Sequence, residues 1–193
     1  MEAQKISVEL EGVSDIMFDR FIDYSAEKRP PEQKLYLAEN NVIVLPVENL
    51  NSFLFGQSPE GCAAVFEAKK RKDYFRVGQS HVFIKGTYLP FLDEKGKPIA
   101  FNGFTGQLYT NETAGRVKKG SLSIKQEAKK RPVLRLPWSL AFDIMLIKNN
   151  LIDETKLLNW FRSGGLLIAV GTFRPRFGRF RVTQWSVEDM DEA

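Results

Sequence analysis

Apolar and polar residues alternate in several segments of the chain, and such alternation is typical of half-buried β-strands. Alternation over residues 6–10 predicts a first strand that ends at Gly12. Apolar residues at the even positions of 132–147 predict one long strand with a single buried face. Residues 80–86 also alternate, and so do residues 179–185, where we expect the closing strand of the chain.

Other segments have the spacing and the flanking residues that are typical of helices. Residues 47–55 are expected to form a half-buried helix. A second helix is predicted to begin with Ser58 as its N-cap and to end in the basic residues 69–72. Basic side chains suit the negative C-terminal end of a helix dipole, so these cations have a structural explanation as well as a functional one.

A third helix is predicted to begin at Asp153 and to end at Gly164 and Gly165. We expect the apolar run that follows, residues 166–170, to be a buried strand. Strand, helix and strand thus follow one another near both ends of the chain. This order predicts the α+β class, with a ferredoxin-like (RRM-like) antiparallel sheet. Helices would cover one face of the sheet and leave the other bare for a ligand or a neighbouring subunit.

Residues 104–131 differ from the rest of the chain because they are polar and rich in glycine and lysine. Short strand-like pieces flank a Gly/Lys tip, so we interpret the segment as an inserted basic β-ribbon within a single domain of residues 1–193. An ordinary solvated loop is the alternative. The ribbon residues that we predict to bind nucleic acid are Lys118, Lys119, Lys129, Lys130 and Arg131.

Composition narrows the possible classes of protein. The 193 residues include 28 basic and 24 acidic ones, so the net charge of +4 is modest and the clustering of cations matters more. With one cysteine and one histidine, neither an intrachain disulfide nor a Cys/His zinc site is possible, and we expect no metal and no cofactor. The first five residues lack the apolar core of a signal peptide, and no apolar run has membrane-spanning length. We therefore expect a cytoplasmic protein.

The segment around residues 171–181 has the strongest functional signal. It holds four arginines within eight residues, phenylalanines among them, and no acid occurs between Gly164 and Ser186. Cations of this kind hold phosphates, aromatic rings stack on bases, and glycines allow a close approach to a phosphate. The residues predicted to bind nucleic acid here are Arg174, Arg176, Arg179, Arg181, Phe173, Phe177, Gly171 and Gly178. A turn with a solvated basic edge is the alternative.

The loop from Gly171 to the Gly178-Arg179-Phe180 sequence, with a closing strand after it, resembles the glycine-rich loop of the RAMP superfamily. The chain is most similar to the crRNA-backbone subunit of CRISPR effector complexes and to small phage-encoded relatives of it. The resemblance implies antiviral defence, single-stranded RNA binding and assembly of copies, or of other effector subunits, along the strand. It also implies a β-hairpin "thumb", which we place at residues 104–131. In some members an aspartate after the first strand cuts RNA, a role open here to Asp15 or Asp19.

Three functions remain open from the sequence. The first is a non-enzymatic subunit that binds single-stranded RNA, or DNA, and forms a homo-oligomer or filament along it. The second is a phage or structural assembly protein whose basic loop contacts a protein partner. The third is an RNA endonuclease, although no catalytic residue is assigned, because the one histidine, His81, is expected to be structural.

Overall fold

A computed structural model describes residues 2–20, 29–113, 116–119, 122–125 and 129–190 of the chain. For the residues of these ranges that lie between 113 and 125, only the backbone is described. The strands are β1 Ala3–Gly12, β2 Ile16–Met17, β3 Val44–Pro46, β4 Val82–Ile84, β5 Tyr88–Pro90, β6 Leu108–Thr113, β7 Arg116–Lys119, β8 Leu122–Lys125, β9 Lys129–Leu134, β10 Ser139–Ile147 and β11 Phe180–Met190. The helices are α1 Val47–Phe55, α2 Cys62–Phe66, α3 Arg71–His81 and α4 Glu154–Leu167. None of the helices in the described ranges has the length and apolar character needed to cross a lipid bilayer.

The main sheet has four antiparallel strands in the order β11-β1-β10-β4. Along the chain, β1 is followed by α1–α3, then by β4, β10, α4 and β11. Two strand-helix-strand halves therefore interleave, with the first and third strands in the centre of the sheet. This arrangement confirms the predicted α+β, ferredoxin-like fold.

The core lies between the helices and one face of this sheet. Phe53 of α1, Phe161 of α4 and Phe180 of β11 are all fully buried, and the Phe53 ring centroid lies 5.4 Å from Phe161 and 5.3 Å from Phe180. The opposite face is mostly polar at β1 and β10, where the Ser7 hydroxyl donates to Asp143 Oδ1 at 2.8 Å, and it also carries the exposed Met145 and Phe83. The sheet therefore has one covered face and one open face, as the alternation predicted.

Smaller sheets extend this core. Strands β2, β9 and β6 form a three-stranded sheet, β3 pairs with β5, and β7 pairs with β8. Strands β6 and β9 pair antiparallel from Leu108↔Leu134 to Thr113↔Lys129, and β7 and β8 lie in the chain between them. The predicted ribbon at 104–131 thus contains paired strands, while the single-domain organisation stays a prediction.

The prediction of one long strand over 132–147 is wrong. Strand β9 ends at Leu134, and β10 begins at Ser139. Pro137 lies between them and has no N–H to offer to a ladder. Ser139 pairs with Glu11 of β1, so the chain leaves the sheet of β9 there and enters the main sheet.

The prediction that α4 ends at Gly164 and Gly165 and gives way to a strand over 166–170 is also wrong. The helix continues to Leu167. A Cβ on Gly164 would lie 2.6 Å from Cys62 Sγ, and a Cβ on Gly165 would lie 2.6 Å from the carbonyl oxygen of Phe180. These glycines therefore allow α4 to pack closely on α2 and β11, which is a reason for glycine that a sequence pattern does not reveal.

Two boundaries in the first half also differ from the predictions. The helix expected to begin at Ser58 begins at Cys62, and the basic residues 69–72 lead into α3 instead of ending a helix. The strand expected at 80–86 is reduced to β4, because α3 continues to His81 and the Val82 N–H still donates to Gly78 as a helix cap. The buried face of α3 is formed by Tyr74 and Gly78, and their spacing of four residues is helical.

Candidate nucleic-acid interface

The connection between α4 and β11 begins with a sharp turn. The Ile168 and Ala169 N–H groups both donate to the Gly164 carbonyl, at 2.7 and 2.9 Å, and Ala169 has a φ of 66°. Leu166 and Leu167 remain 50% and 63% exposed, so the apolar run at this point is not a buried strand. The residues after this turn, 171–179, are called the arginine loop below.

The arginine loop is fastened to the segment between β1 and β2. The Gly178 N–H donates to the Asp15 carbonyl at 2.8 Å, and the Thr172 N–H donates to the Met17 carbonyl at 3.0 Å. The Arg179 carbonyl accepts from the Val13 N–H at 2.8 Å. Bonds at both ends of the loop fix its backbone on the protein, so the directions of its side chains are fixed in part before any ligand arrives.

Gly178 and Gly171 are needed for this attachment. Their φ values are 76° and 80°, in the left-handed region that favours glycine. A Cβ on Gly178 would overlap the carbonyl oxygen of Val170, and one on Gly171 would lie 2.9 Å from the Met17 carbonyl oxygen. The close approach that these glycines permit is therefore an approach to the chain's own backbone.

The four predicted arginines divide into two pairs. Arg174 is half-buried, its Nη1 donates to the Ala169 carbonyl at 3.3 Å, and burial lowers the pKa of its guanidinium. Arg181 lies in β11, and its Nη2 is 2.7 Å from Glu11 Oε2. Arg176 and Arg179 are exposed, and within the described ranges neither forms an ion pair. Arg176 and Arg179 are thus the arginines of the loop that an anion can reach.

The two phenylalanines of the loop also differ. Phe177 is 9% exposed and packs against Met17 and Val133, so it is an anchor of the loop. Phe173 is 41% exposed, has a φ of 63°, and lies with its ring centroid 5.8 Å from Arg131 Cζ. Only Phe173 offers a ring face on which a base can stack.

The predicted ribbon residues are described only in part. Lys129 and Lys130 lie exposed at the start of β9. Arg131 is the next residue, and its Nε donates to Asp19 Oδ2 at 2.8 Å with 13% of its side chain exposed. The side chains of Lys118 and Lys119 lie outside the described residues. Lys129 and Lys130 therefore extend the basic surface, whereas Arg131 is held in an ion pair.

Asp15, which the sequence offered only as a candidate for RNA cleavage, joins three parts of this surface through its side chain and its backbone. Its Oδ2 accepts from the Tyr109 hydroxyl at 3.0 Å, and its Oδ1 accepts from the Leu136 N–H at 3.2 Å. Its backbone carbonyl holds Gly178, as described above. Asp15 thus connects the arginine loop with β6 and with the link between β9 and β10.

Lys34 is a residue that the sequence analysis did not single out. Its side chain is buried, and its Nζ donates to the Lys130 carbonyl at 2.6 Å. Burial lowers the pKa of this ammonium, and the negative charge of Asp19 opposes that effect. Asp19 therefore lies between two cations, Lys34 and Arg131, in the support of β9. Across the described part of the chain, no three His, Cys, Asp or Glu side chains are close enough together to suggest a metal site.

Comparison with known proteins gives one informative result. Neither a family model nor a curated protein matches the sequence. Among solved structures, the chain is similar to one in the cryo-EM structure of the Type III-B Cmr-beta bound to cognate target RNA, with a TM-score of 0.56 and 8% identity. The alignment covers 96% of this chain and 61% of the other, so this chain spans less than two thirds of its neighbour's length. At such low identity the likeness concerns the fold alone, and it agrees with the ferredoxin-like α+β fold described above.

Proposed function

We propose that this protein binds single-stranded nucleic acid, RNA in preference to DNA, and that copies of it or related subunits assemble along the bound strand. Arg176 and Arg179 would hold phosphates, and Phe173 would stack on a base. Lys129 and Lys130 would follow the backbone further. Arg174, Arg181, Phe177 and the two loop glycines would act indirectly, because they hold the loop in shape.

The observation that carries this proposal is the anchored loop with its two exposed arginines. Anions bind best where cations are in place before the ligand arrives, since less conformational entropy is then lost on binding. The loop backbone is bonded to residues 13–17 at both of its ends, and no acidic residue occurs in it. The fold supports the choice of RNA, because the similar chain belongs to a complex that was solved with target RNA.

The proposal does not include RNA cleavage. A general base or a metal ligand needs a carboxylate oxygen that is available to the substrate or the ion. Both side-chain oxygens of Asp15 accept hydrogen bonds from the protein, and Asp19 is paired with Arg131. These contacts support a structural role for both carboxylates.

The test is binding of fluorescently labelled single-stranded RNA, single-stranded DNA and double-stranded RNA, followed by anisotropy over a range of salt concentrations. Each neutralised phosphate of a single strand contributes about 0.7 to the slope of log K against log salt. The double variant R176A/R179A should therefore bind more weakly and flatten the slope by about 1.4. The matched control is K95A/K97A, which removes two exposed cations from a turn outside the loop.

Two results would contradict the proposal. One is equal affinity and equal slope for R176A/R179A and the parent protein. The other is wild-type protein that binds no oligonucleotide at low salt and carries no nucleic acid through purification. The second result, combined with a stable oligomer, would favour the assembly protein instead, with the arginine loop as a protein interface.

A further inference from the structure

The surface next to the arginine loop contains a stacked pair of side chains, Arg135 and Tyr109. Arg135 Cζ lies 4.5 Å from the centroid of the Tyr109 ring. At that distance the guanidinium packs against the ring face by a cation–π contact. One side of the arginine is thus covered by the tyrosine, and Arg135 itself is exposed to solvent.

Both members of the pair are fixed by further hydrogen bonds. The Arg135 Nη1 donates to the Gly106 carbonyl at 3.2 Å, and the backbone N–H of Arg135 donates to the Gln107 carbonyl at 2.8 Å. The Tyr109 hydroxyl donates to Asp15 Oδ2, so the ring is held at its far end as well. Arg176 and Arg179 have no such bonds from their guanidinium groups within the described residues. Arg135 is therefore a planar cation in a fixed orientation.

The pair lies beside the arginine loop because both are bonded to the same residue. Leu136 follows Arg135 and donates to the Asp15 side chain, and Gly178 precedes Arg179 and donates to the Asp15 carbonyl. Arg135 and Arg179 are therefore each one residue away from a group that Asp15 holds. The two residues are thus joined through Asp15, and on the proposal below the nucleotides next to a phosphate held by Arg179 would reach Arg135.

We propose that the exposed face of the Arg135 guanidinium, backed by Tyr109, is a stacking site for one nucleobase of the bound strand. Guanidinium planes stack on unpaired bases in single-stranded recognition. Leu136, which is 40% exposed next to Arg135, offers an apolar contact to the edge of such a base. The site would accept any of the bases, because stacking does not depend on the hydrogen-bonding edge.

This inference rests on the proposed function, since a base reaches the site only as part of a bound strand. It adds a second base contact to the stacking proposed for Phe173, and it differs from the contacts of Arg176 and Arg179 in what is recognised. Arg176 and Arg179 would recognise phosphates and would confer salt dependence, whereas Arg135 would recognise the flat face of a base. The two contributions can be separated with substrates that lack bases and with a variant that keeps the charge but not the plane.

The test compares wild type, Arg135→Ala and Arg135→Lys on two labelled oligoribonucleotides of equal length, one with bases and one fully abasic. Loss of a stacked base costs about fivefold or more in affinity. Both variants should lose about that factor on the base-bearing strand and should match wild type on the abasic strand. The slope against salt should stay unchanged in R135K. Arg179→Ala, the matched variant, should weaken binding to both strands equally and reduce the slope by about 0.7.

Folding is checked by urea unfolding of each variant, and R135K keeps an aliphatic stem over the Tyr109 ring. If R135K binds the base-bearing strand as tightly as wild type, Arg135 contributes only its charge and the inference is wrong. An equal loss for R135A on both strands would overturn it in the same way. Wild-type protein that binds neither strand would instead overturn the proposed function, on which this inference depends.

Discussion

The arginine loop and residues 69–72 have similar clusters of cations, but the protein holds them in different ways. The loop is bonded to the β1–β2 segment at Asp15 and Met17, and its side chains point from a fixed backbone. Residues 69–72 are exposed and lie at the start of α3, where the Lys70 N–H bonds only to the nearby Glu67 carbonyl, at 2.9 Å. One cluster is a built surface, and the other is an exposed turn of helix.

The difference shows that the number of cations alone does not predict which of two basic clusters binds a phosphate more strongly. At the start of α3 the cations lie at the positive end of the helix dipole, which is unfavourable for them. An acidic side chain also lies near this cluster. Arg71 Nη1 is 4.0 Å from Glu60 Oε1, and both side chains are more than half exposed. Mobile side chains lose rotamer freedom when they bind a phosphate, whereas the loop has already lost part of its freedom on folding. We therefore expect the loop to bind the more strongly of the two.

The largest effect on stability is expected from Gly178→Ala, which would disrupt the contacts that hold the arginine loop on the protein. The added methyl group would overlap the Val170 carbonyl oxygen at a position with a φ of 76°. We expect the free energy of unfolding to fall by about 3 kcal/mol or more, because left-handed strain and a backbone clash add together. Urea unfolding measures this change, and anisotropy with labelled RNA reports whether the loop still binds.

The matched control for Gly178→Ala is Gly96→Ala. Gly96 has a φ of 71°, but no atom lies within 4 Å of the position where its Cβ would be. It should cost only the left-handed strain, about 1 kcal/mol, and leave RNA binding unchanged. Equal losses of stability in the two variants would mean that the loop is not held by the close contact at Gly178, and the contrast between the two clusters would fail.

A smaller effect is expected when the cations themselves are removed. The double variant R176A/R179A should lose about tenfold or more in RNA affinity at low salt, since a hydrogen bond to a charged group contributes about 1.5–3 kcal/mol. The double variant K70A/K72A removes the same charge from the start of α3 and should lose less than about threefold, as mobile exposed charges do. Both are measured by anisotropy in one buffer. The reverse order of the two losses would assign the interface to α3.

The sequence predicted the sheet and its covered face because alternation in β1, β10 and β11 follows directly from burial on one side. It also placed a loop with glycines and arginines before the last strand. The sequence could not separate the arginines that bind the protein from those that are free to bind a ligand. Arg174 differs from Arg176 and Arg179 through its contact with Ala169, across the turn, and Arg181 differs through its contact with Glu11, far away in the sequence. Such pairings depend on the folded structure and leave no local pattern.

The errors of prediction have a common physical origin. The glycines at 164–165 are locally typical of a helix end, yet in the fold they make room for Cys62 and Phe180. The alternation over 132–147 continues across the break at Pro137, because the last residues of one strand and the first of another both alternate. Lys34 was missed, and Asp15 was named only as a candidate for RNA cleavage, since the contacts of a single polar residue in an irregular segment leave no periodicity. In each case a tertiary contact outweighed the local signal.

The smallest effect tests the support below the arginine loop at Tyr109. Tyr109→Phe keeps the ring under Arg135 and removes the hydrogen bond to Asp15. We expect a loss of about 1 kcal/mol in the free energy of unfolding at neutral pH, below the about 1.5–3 kcal/mol of a bond to a charged group, because the group is partly exposed. RNA affinity should fall by no more than about twofold, since the loop keeps its backbone bonds.

The pH dependence tests whether the fold favours the un-ionised Tyr109 hydroxyl, through its burial and its bond to Asp15. Burial raises the pKa of Tyr109, and the bond to the Asp15 carboxylate raises it further. A group with a raised pKa in the folded protein contributes stability that is complete below its unfolded pKa, about 10 for tyrosine, and that is lost as the pH rises through the folded pKa. The difference in unfolding free energy between wild type and Y109F should therefore be constant from pH 7 to about 9 and shrink at higher pH. Other groups titrate equally in both proteins and cancel in the difference. A difference that stays constant to pH 11 would mean that the fold does not favour the un-ionised hydroxyl, so that neither its burial nor its bond to Asp15 raises its pKa.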